Sequence, residues 1–455
     1  MCQCPVRRTS LACPGRSGCE VVANAQSLVP ISVPNWGTSI DMQSIGSAIR
    51  RRSVLLLLIL PAATAARTAR AADNEAIYIG ISGAYTGADS ANSFATRNGA
   101  MMAIQEANDR GGIAGRKIVT VELNEATANA GQYDPAQAAA NARKFVSDPR
   151  IVALIGPDHS GAGKAMAPIL SQGDLATVTP DTTNPDITSP KYASEFRPAG
   201  RPIYFRTLTT DDYRGPGMAR FLTKTLGAKT GYVLDDSGGY GVGLANAFVA
   251  GARSAGMNIL GRDSLDPKQA DYTTAITKIK AIGPQALFYG GDLQAGVKVA
   301  KQSYDIIPQT IKGGGGGLYG GGFAEQVGFP AAEGWYVALT SPHLEGETIA
   351  AWQARYQRRW GLPPIDYSVT AYDAALVILD AIQRVVASGK PMDRHSIRDA
   401  IQVTNLDTVQ GNIQFDENGD ITDRTVSIFQ VKHDSAYPNT DAIHQFKYVG
   451  SAPRP

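Results

Sequence analysis

Beyond residue 19 the 455-residue chain contains no cysteine; all four (Cys2, Cys4, Cys13 and Cys19) lie at its very start, with no zinc-like spacing. A disulfide framework and a thiolate metal site are thereby excluded for the body of the protein. Histidine is nearly as scarce: five residues, at 159, 343, 395, 433 and 444, with no pair at metal-ligand spacing. The chain also lacks a strong charge of either sign, its net charge being +2. That balance hides an asymmetry. The first 72 residues hold eight arginines and no lysine against only Glu20 and Asp41, an excess of six positive charges, which leaves an excess of four negative charges on the rest. A mildly acidic body argues against a nucleic-acid partner, whose phosphates demand a basic face. No G-x-S-x-G elbow appears, and no G-x-G-x-x-G follows a strand pattern, so the common nucleophile and dinucleotide signatures are missing. No cofactor is called for.

What is present begins with a leader. Arg50, Arg51 and Arg52 precede a short apolar run from Val54 to Leu60, and Ala69-Arg70-Ala71 makes a small-residue cleavage site. This order of charged, apolar and small segments reads as an export signal over 42–72, and the apolar run is too short to span a bilayer. The pair at 51–52 leaves the general and twin-arginine routes both open. Translation is expected to start at Met42, with 1–41 disordered or not translated, and the exported protein to begin near Asp73, in the periplasm.

From residue 77 strand and helix patterns alternate: "AIYIGISG", an amphipathic "ATRNGAMMAIQEANDRGG", "RKIVTVEL", "PAQAAANARKFVSD", "RIVALIG", "LATVTP". This alternation builds a doubly wound parallel sheet. A second series follows "RPIYFRTLTT", so the chain is expected to form two α/β lobes. The first would comprise 73–200 plus about 331–420, the second 201–330 plus about 421–455. A long helix near 367–388 places Ala371, Ala374, Ala375, Ile378 and Ile382 at helical spacing, a stripe suited to packing on a sheet.

Three stretches invite a chemical reading. "IGPDHSGAGKAMAPIL" (155–170) looks like a Walker A loop, but Asp158 stands where the first glycine belongs and Ala165 where the metal-binding hydroxyl belongs. What remains is a strand, a turn of small residues and a helix start, which can hold a carboxylate or be an ordinary connection. "DENGD" (416–420) resembles a calcium loop, but its distal bidentate acid is missing, so it is expected to be a turn in a β-hairpin around Asn418-Gly419. "KGGGGGLYGGGF" (312–323) is expected to be a mobile loop with several positive φ angles.

The order and spacing of these motifs carry a resemblance. "YIGISGAYTG", "NGAMMAIQEANDRGGIAGRKIVTVELNEAT", "ALIGPDHSGAGKAMAPIL", "ATVTPDTTNPDIT", "FRTLTTDDYRGPGMARFL", "DDSGGYGVGLANAF", "ALFYGGD" and "EGWYV" together resemble the periplasmic leucine/isoleucine/valine-binding proteins of ABC transporters, over about residues 75–435. The resemblance implies two α/β lobes joined by a three-stranded hinge, closing on a small ligand. It implies that the chain is a monomer that partners a membrane ABC permease and is not an enzyme. By residue, it implies that Ser160 holds the ligand's α-carboxylate. Asp181 and Thr183 would contact carboxylate and ammonium, with Thr182 between them, and Tyr240 would cover the ligand. Three positions depart from the family pattern. The acid that pairs with the ammonium falls near Gly315, an aromatic is replaced by Asp292, and another is replaced around Asn92. A buried ammonium needs a partner. Asp292 or Asp181 supplies one if the ligand is an amino acid; otherwise an amide, urea or organic acid fits. Two other functions remain in view: a ligand-sensing receptor of the amide-responsive type, and a hydrolase using Ser160. Against the latter, His159 is adjacent in sequence and is expected to point away from Ser160.

Overall fold

The computed structural model describes residues 76–453; the expected extension (1–41) and export signal (42–72) lie outside the described residues. The first sheet is formed by β1 (Ile77–Gly83), β2 (Ile118–Asn124), β3 (Ile151–Ile155), β4 (Thr177–Thr179) and β5 (Tyr204–Arg206), in the order β2-β1-β3-β4-β5. All its pairings are parallel. β1 and β3 are near-continuous apolar runs because helices cover both faces of the sheet. Between the strands come α1 (Ser90–Asp109), α2 (Pro135–Ser147) and α3 (Ser160–Gln172). α2 starts where the sequence dictates: Pro135 takes the first helical position, and the Asp134 side chain accepts from the backbone N–H groups of Ala136 and Gln137.

The second sheet contains β6 (Thr230–Asp235), β7 (Asn258–Ser264), β8 (Ala286–Gly290), β9 (Ile311–Gly314), β10 (Tyr336–Leu339), β13 (Ser427–Val431) and β14 (Phe446–Ser451), ordered β14-β13-β10-β9-β8-β6-β7. Five strands are parallel, while β13 and β14 join antiparallel, an edge the sequence patterns did not reveal. The helices of this half are α4 (Asp211–Arg220), α5 (Gly239–Ser254), α6 (Thr273–Ile282), α7 (Leu293–Ile306) and α8 (Gly321–Val327). The chain then returns to the first sheet through α9 (Glu347–Trp360), α10 (Asp366–Ala387) and α11 (Arg394–Gln402). A small ribbon, β11 (Asn405–Thr408) with β12 (Gly411–Gln414), follows.

Two doubly wound α/β lobes therefore share three connections. Sheet membership changes after 206, after 339 and before 427, where the sequence suggested 200, 331 and 421. Short strands at lobe ends explain the offset: β5 and β10 have three and four residues, too few to announce their sheet by pattern. The three connecting segments are hydrogen-bonded to one another, Thr209 N–H donating to Thr340 O (2.8 Å) and Ser427 Oγ to Ser341 O (2.7 Å).

The alanine and isoleucine stripe of α10 is fully buried, in one core with β1 and α1. Close approach of α1 and α10 requires Gly99, because a Cβ there would overlap the backbone oxygen of Ser368. The "DENGD" turn is closed by a bridge between Phe415 and Ile421, with Gly419 at φ +97 and the Asp416 carboxylate accepting from Asn418 and Asp420 N–H. The hairpin proper, β11–β12, lies one strand earlier than expected.

Candidate functional site

The C-terminal ends of the parallel strands in both sheets face a common cleft, the usual place for ligands in such sheets. It is lined by Asp89, Asn92, Ser93, Asp158, His159, Ser160, Asp181, Arg214, Tyr240, Asp292, Gly316, Gly317 and Tyr367. Of the residues expected from sequence, Asn92, Ser160, Asp181, Tyr240 and Asp292 lie on this wall. Thr182, Thr183 and Gly315 do not, and each has a physical reason. Thr182 Oγ1 is committed to Tyr204 OH (2.7 Å) behind the wall, and Thr183 Oγ1 donates to Asp211 Oδ2 (3.1 Å) and accepts from Arg214 (2.6 Å). At Gly315 a Cβ would overlap Leu244 and the Tyr240 hydroxyl, so the chain has no room for the acid that the family pattern puts there.

The glycine tract differs from expectation as well. It forms β9, a 3-10 turn over Gly316–Leu318 and the start of α8, and within it only Gly320 has a positive φ. The glycines serve close approach: side chains at 316 and 317 would run into the Tyr367 hydroxyl and the backbone oxygen of Gly291. Backbone takes the place of side chains on this part of the wall.

Ser160 is the first residue of α3, so the cleft meets a helix N-terminus with its outward N–H groups. Its Oγ accepts from the N–H groups of Thr183 (3.3 Å) and Asn184 (3.2 Å), and among the described residues its own proton is donated to no group. A hydroxyl so arranged donates into the cleft. His159 faces the cleft as well, contrary to expectation, because the helix begins here and strand alternation no longer governs. Its ring is held elsewhere: Nδ1 lies 3.1 Å from Glu125 Oε1, Nε2 lies 3.7 Å from Asp89 Oδ2, and Tyr133 stacks on it at 4.6 Å. No hydrogen bond joins His159 to Ser160 among the described residues. Arg214 is buried against Asp211 (2.6 Å) and lies over the Tyr240 ring at 5.0 Å.

The electrostatics are lopsided. Burial pushes the Asp158 and Asp292 carboxyls well above their ordinary range, and neighbouring acids add to it: Glu125 and Asp181 for the first, Asp236, Asp89 and Asp181 for the second. Burial, with neighbouring acids adding to it, lifts Asp181 to about 7 and Asp236, beneath Asp292, to about 6. Burial works against the His159 imidazolium, but the neighbouring carboxylates of Asp89 and Glu125 outweigh it and raise the histidine well above its usual value. Asp89, Asp158, His159, Arg214, Gly316, Gly317 and Tyr367 were not singled out as site residues from sequence. Asp158 had a signal, an acid inside a loop otherwise built for an anion. Nothing in the local sequence around Asp89 or Arg214 pointed to them.

The lobes touch across the cleft. Asn92 Nδ2 donates to Tyr319 O (2.9 Å), Asn184 Nδ2 to Gly239 O (2.9 Å), and Leu293 N–H lies 3.4 Å from Asp89 Oδ1. These contacts define a closed arrangement.

Residues 76–436 match the family model described as periplasmic binding protein. A Leu/Ile/Val-binding protein, BraC3, of Rhizobium johnstonii is 28% identical over 356 residues, covering 78% of this chain and 91% of that protein. The Leu/Ile/Val-binding protein of Escherichia coli is 25% identical over 361 residues, covering 78% and 90%. Among solved structures, the leucine-binding protein LivK of Thermotoga maritima superposes with a TM-score of 0.70 at 25% identity, covering 83% of this chain and 98% of that one.

Proposed function

The chain belongs to the periplasmic binding protein family, and from that premise we propose that it captures a small amino-bearing solute between its lobes. It then presents the closed form to a membrane ABC permease after export directed by residues 42–72. The single observation that supports this reading most is the pairing of Ser160 with the cleft aspartates. The Ser160 hydroxyl, with its proton unspent at the start of α3, suits a ligand carboxylate. Asp181 from the first lobe and Asp292 from the second supply the ammonium partner that Gly315 cannot. Tyr240 closes over the ligand from the second lobe. Binding bridges the lobes and shifts the open–closed population, the three connections near 206, 339 and 427 acting as the hinge.

The test is calorimetric titration of the protein, purified from cells expressing the full chain, with amino acids, amides, ureas and organic acids. An amino-bearing solute should bind, and Ser160→Ala should weaken it about 10- to 100-fold, the worth of one hydrogen bond to a charged group. If only ligands without an amino group bind, the reading is wrong.

A further inference from the structure

We propose that the ligand carries two cationic nitrogen groups, one more than a simple amino acid, and that the second sits among Asp89, Asp158 and Asp292. The inference rests on the reading that this cleft is the solute site. An acidic cluster alone would not establish it. The independent observation is that Oδ2 of Asp158 and Oδ2 of Asp292 are each buried without a hydrogen-bond partner, while Asp89 Oδ2 has only the His159 ring, 3.7 Å away and outside hydrogen-bond distance. The residues are 5%, 7% and 6% exposed and all three line the cleft. Buried carboxylates are normally satisfied, and two orphaned oxygens beside the under-satisfied Asp89 imply donors that arrive with the ligand.

The charge balance agrees. The cleft wall has four aspartates (Asp89, Asp158, Asp181 and Asp292) and two cationic side chains, His159 and Arg214. Neither cation has charge to spare: Arg214 is matched by Asp211, and His159 is shared between Glu125 and Asp89. A zwitterionic monoamino acid adds no net positive charge. Its single ammonium offers three hydrogens, two of which the Asp181–Asp292 side would take. A second ammonium, amidinium or guanidinium supplies the missing donors and charge. A metal ion is a poorer fit, because among the described residues no group of three or more acidic, histidine or cysteine side chains is arranged to hold one.

The arrangement also makes closure depend on ligand charge. Asp89, Asp158 and Asp181 belong to the first lobe and Asp292, backed by Asp236, to the second; Asp236 Oδ2 accepts from Asp292 N–H at 2.8 Å. Closing the empty cleft brings these like charges together, and a dication between them reverses the sign of that interaction.

The experiment compares L-leucine, L-ornithine and 1,4-diaminobutane by calorimetry on the protein purified from cells expressing the full chain. The expected result is that ornithine or diaminobutane binds at least 30-fold more tightly than leucine. Asp158→Asn should reduce that preference at least tenfold while the free protein keeps or raises its melting temperature, and Asp89→Asn should reduce the preference by a similar factor. Leucine binding as tightly as both two-nitrogen compounds would overturn this inference and leave the solute-binding reading intact. Binding of none of the three would overturn both, as would binding of benzoate alone in a parallel titration. Preference for a two-nitrogen compound that both asparagine variants leave unchanged would overturn the placement among these aspartates.

Discussion

Two neighbouring acids at the end of β6 show how differently one molecule can treat a buried carboxylate. Asp235 is fully buried and fully engaged: Arg262 Nε donates to it at 2.7 Å, Ser264 Oγ at 3.1 Å and Ser237 N–H at 3.0 Å. Its successor Asp236 accepts only backbone N–H groups, from Gly238 and Asp292, and Asp292 itself keeps one oxygen with no partner. Moving from the edge of the sheet to the cleft, satisfaction falls while burial stays nearly constant. The first acid holds the fold together. The last is costly to the free protein, and such a cost persists where a ligand removes it.

The largest expected effect comes from breaking the satisfied end. Asp235→Ala removes the acceptor of the half-buried Arg262 and of two other donors, and should lower unfolding stability by about 3 kcal/mol, read from denaturant melts. The mirror substitution at the unsatisfied end, Asp292→Asn, should leave the free protein unchanged or more stable by up to about 1 kcal/mol. It should cost about 2 kcal/mol, some 30-fold, in affinity for an amino-bearing ligand. A stability loss at 292 as large as that at 235 would erase the contrast.

A change of pH sharpens the same comparison. Asp181 and Asp236 have carboxyls raised to about 7 and about 6 in the folded protein, against roughly 4 when unfolded. The folded state therefore holds these protons more tightly. Their contribution to stability is complete below pH 4 and is lost as pH rises through 6 to 7. The free protein should be more stable at pH 5 than at pH 8 by about 1–3 kcal/mol. Affinity for a cationic ligand should run the other way, rising with pH because it needs the ionised carboxylates. Melting curves with and without ligand at both pH values check both signs.

The smallest effect concerns the glycine wall. Gly316→Ala places a methyl against the Tyr367 hydroxyl and Arg214, so it should destabilise by about 1–2 kcal/mol and weaken binding without altering which ligand is preferred. A stability unaffected by this change would mean that the tract has the mobility its composition suggests, rather than the close packing seen here.

The alternation of strands and helices from 77 onward, and with it the two α/β lobes, is legible in the residues alone. Hydrophobic periodicity and end signals such as Asp134-Pro135 are local properties, readable without knowing what packs on what. Equally legible are the apolar stripe that α10 presents and the helix that begins beside Ser160. The tertiary structure alone decided the rest. β5 and β10 are too short for pattern to tell which sheet they join; pairing partners far away in the chain assign them. Asp89 and Arg214 carry no local signal that they line a cleft, and Asp158 shows only as an acid in a loop, since burial is a property of the assembled lobes. Thr182 and Thr183 lie in the right loop but point behind the wall, where Tyr204, Asp211 and Arg214 claim their hydroxyls. Five consecutive glycines read as freedom of the backbone, yet here they mark where Tyr240, Leu244 and Tyr367 come too close for a side chain. Composition records that a side chain is missing; only the fold shows what fills the space.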